Sequence, residues 1–193
     1  MANQDADVLL RIEPTTDLPD RPAATSGAQD LRNRQRRRLL HAIGRLNGKQ
    51  SVDEVVTALR GCARALAAAD GITLIHREGN EVRYVAEDAI APLWAGQRFP
   101  IHACISGLAM LENQPILIPD IYADARVPHA AYEPTFVRSM AMFPIGTRSP
   151  LWAMGAYWAK VGAMDSHAAT TLSSLARATG LAFDRLTRHN TRP

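Results

Sequence analysis

The sequence predicts an α+β domain: an antiparallel sheet of five or six strands, with the N- and C-terminal helices on one face and pocket-forming connections on the other. Three observations carry this. Apolar residues recur at helical spacing at both ends of the chain, five short strand-like runs lie between them, and two long connections interrupt those runs.

Residues 1 to about 27 are rich in Asp, Pro, Thr and Ala without a sustained period, and read as a disordered N-terminal tail. The single domain is expected over residues 28–188, with a short C-terminal tail over 189–193. A first helix is predicted from about Asp30 to Leu46, where Leu39, Leu40, Ile43 and Leu46 share one face. A second follows Ser51, whose partner Glu54 three residues on makes a capping box. Val52, Val55, Val56, Leu59, Cys62, Ala63 and Leu66 fill its apolar stripe, and Asp70-Gly71 ends it. Cys62 inside that stripe reads as a small hydrophobe.

"ITLIHRE" and "EVRYVAE", joined by Gly79-Asn80, form a hairpin. A long connection then leads through the short helix "ACISGLAMLENQ" to the strand "PILIPDI". A second connection, "YADARVPHAAYEPTFVR", precedes a strand pair, "SMAMFPIG" and "LWAMGAYWAK". The last helix runs from Ser166 to about Arg188 with Asp165 as its N-cap. Ala168, Leu172, Leu175, Thr179, Ala182, Phe183 and Leu186 form its buried face.

Composition narrows the function classes. Hydrophobic residues make up 47% and charged residues 21% of the 193, ordinary for a globular chain. No apolar run reaches the ~20 residues a membrane helix needs, and the N-terminus does not resemble a secretory signal. Two cysteines are too few for a disulfide framework, so a cytoplasmic location is expected. The net charge is +3, and "LRNRQRRR" concentrates five Arg in eight residues. Such a cluster can bind nucleic acid or anionic lipid. A solvated helix face is the favoured reading, because no basic stripe with interleaved aromatics accompanies it.

The stretch "PDIYADARVPH" carries the densest polar chemistry. Asp120 suits an Asx turn, Asp124 and Arg126 a local ion pair, and Pro128 the first turn of a short helix. Loop architecture explains the stretch better than catalysis does, and a ligand contact stays open. Cys104 sits near a helix start, where a thiol pKa is lowered, with His102 two residues away. Structural, redox-sensing and covalent or catalytic readings of Cys104 compete, the first being favoured. The six histidines show no metal-ligand spacing, and no Gly-rich phosphate loop is present. Met110, Met140, Met142, Met154, Phe143, Trp152, Tyr157 and Trp158 are candidates to line a pocket or simply to pack the core. Alternation puts Met140 and Met142 on one face and Ala141 and Phe143 on the other.

The stretch "ACISGLAMLENQPILIPDIYADARVPHAAYEPTFVRSMAMFPIG" resembles the GAF domains found in bacterial sensor histidine kinases. It carries their Cys-x-Ser-Gly, Pro-Asp-Ile-Tyr-x-Asp-x-Arg-x-Pro and Ser-Met-x-x-x-Pro-Ile elements. The resemblance extends from Leu39 to Leu186. It implies a GAF/PAS-like fold and a sensory role without kinase output of its own, since no ATP-binding module follows. A small-molecule ligand, a histidine kinase or other signalling partner, and a homodimer through the terminal helices are the implied partners. Nucleic acid and membrane are not expected. Carried onto this sequence, the implied ligand-contacting set is His102, Cys104, Met110, Asp120, Tyr122, Arg126, His129, Tyr132, Met140 and Met142. No cofactor can be named: the order His102-Ala103-Cys104 does not match the Cys-His pair of bilin-binding GAF domains, and a lone His is weak support for haem. The runner-up is a thiol-dependent enzyme resembling the free methionine-R-sulfoxide reductases, for which a second pocket cysteine is missing. The third reading is a ligand-free scaffold.

Overall fold

The computed structural model describes residues 24–190, with side chains from 27 to 188. Most of the expected N-terminal tail therefore lies outside the described residues. Its last four positions belong to helix α1, Ala24–Asn47, which starts a turn and a half before the predicted Asp30. Residues 191–193 likewise lie outside.

Helix α2 covers Val52–Ala67. Ser51 Oγ accepts from Glu54 N–H at 3.2 Å, which makes one half of the expected capping box, while the Glu54 carboxylate accepts from Gln50 N–H, one residue before the cap, at 3.2 Å. The helix stops before the predicted Asp70-Gly71. Ala68 takes a left-handed conformation at φ 48° and ψ 40°, donating its N–H to Arg64 O. Asp70 serves elsewhere: its carboxylate accepts from Ala159 N–H at 2.8 Å and ties the start of the first strand to the end of its neighbour in the sheet.

Six strands form one antiparallel sheet: β1 Gly71–Glu78, β2 Glu81–Ala89, β3 Arg98–Pro100, β4 Ile116–Ile118, β5 Ser139–Ile145 and β6 Trp152–Trp158. Their order is β3-β2-β1-β6-β5-β4, so the hairpin partners β1 and β2 sit beside the late pair β5 and β6. Strand β3 was not foreseen. It lies inside the first long connection, and three residues are too few to show a period. The strand expected over "PILIPDI" is only Ile116–Ile118, because Asp120 starts a 3-10 turn by accepting Tyr122 N–H.

Helix α3, Ile105–Glu112, packs on one face of the sheet, and helix α4, Ser166–Asn190, packs with α1 and α2 on the other. Two cores result. On the helix side Leu46, Leu59, Ile72, Leu74, Leu172 and Leu175 meet. On the α3 side Ile75, Ile105, Met110, Ile118, Met140 and Tyr157 meet. Both faces of β5 are thus buried, with Ala141 and Phe143 toward the three helices and Met140 and Met142 toward α3. Four of the expected pocket residues prove to be on the helix side: Phe143, Met154 and Trp158 in its core and Trp152 against it. Alternation along β5 and β6 assigns them there. Cys62 is half-buried against the same core.

Candidate functional site

The α3 face holds the candidate site, roofed by the two long connections. Its floor is β1, β6 and β2, which contribute Thr73, Tyr157 and Tyr84. Gly155 makes room for the first contact. A Cβ there would stand 2.5 Å from the Tyr157 hydroxyl and 2.7 Å from Thr73 Oγ1. Without it, the Tyr157 ring lies along the strand and its hydroxyl meets Thr73 Oγ1 at 3.0 Å.

A line of buried polar groups continues from there. The Tyr157 and Tyr84 phenols lie near enough that each affects the other's titration. The Tyr84 hydroxyl is 3.4 Å from Ser106 Oγ, and Ser106 Oγ is 3.3 Å from Cys104 Sγ. Burial holds the Tyr84, Tyr132 and Tyr157 phenols well above their ordinary range. Each hydroxyl therefore stays protonated and available as a donor.

Trp94 stands at the centre. Its ring makes edge-to-face contacts with Tyr84 at 5.6 Å, Tyr132 at 4.9 Å and Tyr157 at 5.4 Å between centroids. Glu87 on β2 fixes the backbone that presents it, its carboxylate accepting the N–H groups of Leu93, Trp94 and Ala95 at 2.9–3.1 Å. The indole Nε1 donates to Ala131 O in the second connection at 3.3 Å. One side chain thus joins both connections to the sheet.

The ten residues expected from the family resemblance separate into two groups. Cys104, Met110, Tyr132, Met140 and Met142 are buried together on the α3 face, where Tyr132 donates to Met140 Sδ at 3.4 Å. His102, Tyr122 and Arg126 are exposed, and Asp120 and His129 are half-exposed. The outer group is a local network. Arg126 Nε and Nη2 donate to the two Asp124 carboxylate oxygens at 3.0 and 2.6 Å, which holds that carboxyl below its ordinary range. His129 Nε2 approaches Asp124 O at 3.3 Å, and the guanidinium of Arg138 lies 5.3 Å from the Tyr122 ring centre. Asp120 accepts Tyr122 N–H at 3.0 Å, as an Asx turn requires.

Cys104 caps α3 with its backbone only. The residue is 7% exposed, and burial raises the thiol pKa against the opposing effect of the hydrogen bonds from Ser106 and Gly107. Desolvation therefore outweighs the helix N-terminus that pointed to a thiolate. His102 projects from the preceding turn into solvent while the thiol points inward. Cys62 lies across the sheet, so the two thiols belong to different cores. Among the described residues no cluster of three metal-ligating side chains exists.

Sequence reasoning missed Thr73, Tyr84, Trp94, Ser106 and Gly155. The inward alternation of Tyr84 on β2 was readable. Trp94 in the polar connection "APLWAGQ" was a signal too, since an indole there needs a place to bury.

No protein-family model matches the chain, and no curated protein does. Solved structures do. The GAF domain of Acinetobacter phosphoenolpyruvate-protein phosphotransferase superposes with a TM-score of 0.70 at 12% identity, over 83% of this chain and 98% of that one. Free methionine-R-sulfoxide reductase from Neisseria meningitidis, solved with its substrate, gives 0.68 at 16% identity, over 80% and 91%. The chromophore-binding domain of a bacteriophytochrome from R. palustris gives 0.66 at 16% identity, over 89% of this chain and 64% of that one. Similarity at these identities concerns the fold, and with the sheet order and helix placement above it gives one answer: this chain has the fold of a GAF domain.

Proposed function

We propose that the chain is a sensory or regulatory GAF module that binds a small molecule on the α3 face, in the cytoplasm, and passes its state to a signalling partner or a second copy through the terminal helices. Trp94 carries this reading. It rests on Tyr84, Tyr132 and Tyr157 while tying both roofing connections together. A ligand entering between those rings displaces the indole and so reaches both connections at once. Contacts that differ between open and closed arrangements are what a population shift needs. The aromatic walls supply apolar area, and the protonated hydroxyls of Tyr84 and Tyr157 supply oriented donors.

The experiment is native mass spectrometry and absorption of the chain purified from its own host, followed by thermal shifts with biliverdin, cyclic nucleotides and free methionine sulfoxide. A bound mass, or a raised melting temperature that Trp94→Ala alters, is the expected result. An apo mass with no shift from any of the three would favour a ligand-free scaffold whose α3 face is filled by its own side chains.

The reductase reading has support in the neighbour that acts on free methionine-R-sulfoxide. Sulfoxide reduction by a thiol leaves a sulfenic acid, which a second thiol must resolve. Here the second thiol is across the sheet and the first is buried and neutral. Dithiothreitol can resolve a sulfenic acid in place of the missing thiol, so the burial of Cys104 is what predicts no turnover of free methionine-R-sulfoxide with that reductant. Turnover abolished by Cys104→Ser would replace the sensory reading.

A further inference from the structure

The helix layer carries a groove that the site above does not use. It runs between α1 and α2 with a volume of about 290 Å³. Arg38, His41 and Arg45, spaced three and four apart, form its α1 wall. Its floor is small and apolar, with Gly61 and Ala65 flanking the half-buried Cys62. The trough continues past Arg45 toward Lys49, where Asp53 and Glu54 also line it, and past Arg38 toward Asp165 and His167, so the cationic wall is the central stretch from Arg38 to Arg45. Among the described residues neither Arg38 nor Arg45 has an ion-pair partner.

The charge of the chain is divided in a complementary way. Residues 1–23 hold five carboxylates and two arginines, net −3, while residues 24–193 are net +6. Within the acidic part, "DADVLLRIE" sets Val8, Leu9, Leu10 and Ile12 between Asp5, Asp7 and Glu13, with Arg11 as its one cation, for a net charge of −2. An apolar run edged by carboxylates matches an apolar floor edged by cations. The connecting residues 14–23 can span ~33 Å when extended. His41 lies ~26 Å along α1 from Ala24. The run can therefore reach the groove in its own molecule.

We propose that residues 5–13 dock in the α1–α2 groove of the same chain, with their carboxylates on Arg38, His41 and Arg45. The segment then occupies the helix surface through which a partner or a second copy would otherwise be engaged. Tethering makes the contact intramolecular and so independent of protein concentration.

Trypsin on the full chain tests this. Arg11–Ile12 is the one bond in residues 1–23 that trypsin cuts readily, since Arg21 precedes Pro22. Each rate is divided by that of the free peptide 1–23. Cleavage should be about tenfold slower in the protein than in the peptide if the segment is docked nine-tenths of the time. Arg38→Glu/Arg45→Glu, both exposed, should restore the peptide rate. Should that variant melt early, Asp5→Asn/Asp7→Asn, compared with its own peptide, makes the same test from the other side. Protection should hold on dilution and fall with added salt. Equal rates in protein and peptide overturn the proposal, as does protection that neither variant relieves. Protection that disappears on dilution overturns it in favour of a second copy in the groove.

Discussion

Ala68 occupies a left-handed conformation that usually favours glycine, with nothing but its backbone in use: its N–H goes to Arg64 O and its carbonyl accepts Trp158 Nε1–H at 3.0 Å. Ala68→Gly should therefore raise stability by about 1 kcal/mol, measured by urea unfolding. Gly107 is the opposite case. An added Cβ would land on the carbonyl oxygen of Ile101, backbone that cannot move without lifting α3 off the sheet. Gly107→Ala should cost about 3 kcal/mol or more. The buried phenols set a pH dependence. Their folded pKa values lie above the unfolded one, so their contribution is intact below the unfolded value of about 10 and falls as pH rises past it. The chain should lose stability through alkaline pH, and Tyr84→Phe should flatten that loss in melts taken across the range.

Among the elements, α2 gives the simplest test. Ser51→Ala removes the side-chain cap on Glu54 N–H and should cost about 1 kcal/mol without moving any core contact. That cap was legible in the sequence because serine and glutamate three apart have one common use before an apolar run. The late strands were legible for a similar reason, as alternation along "SMAMFPI" assigned Met140 and Met142 correctly to one face. The first connection was not. Strand β3 pairs only Arg98, Phe99 and Pro100 with Arg83, Val82 and Glu81, and its position depends on a sheet edge no local pattern announces. The start of β4 was readable and its end was not, since Asp120 stops the strand by a side-chain bond to Tyr122 N–H. The buried polar cluster failed for a third reason. The line from Thr73 to Cys104 joins residues from β1, β6, β2 and the start of α3, and Gly155 matters only once Tyr157 lies across it. Cys104 looked activated because its place at a helix start was visible and its burial was not.

Taken whole, the molecule is a sheet between two unlike coverings. Three helices close one side, and one short helix with two connections closes the other. Arg36 and Arg37 project from the helix side into solvent. Reversing both charges should leave the melting temperature within a degree or so of wild type, because surface charges far from partners contribute little. Strand β5 belongs to both sides at once, with Ala141 and Phe143 facing one core and Met140 and Met142 the other. In evolutionary terms it is a text read by two audiences. Odd and even positions answer to different neighbours, so the two sets should drift as separate communities. A scan of all substitutions along the strand would find each change compensated only from its own side of the sheet.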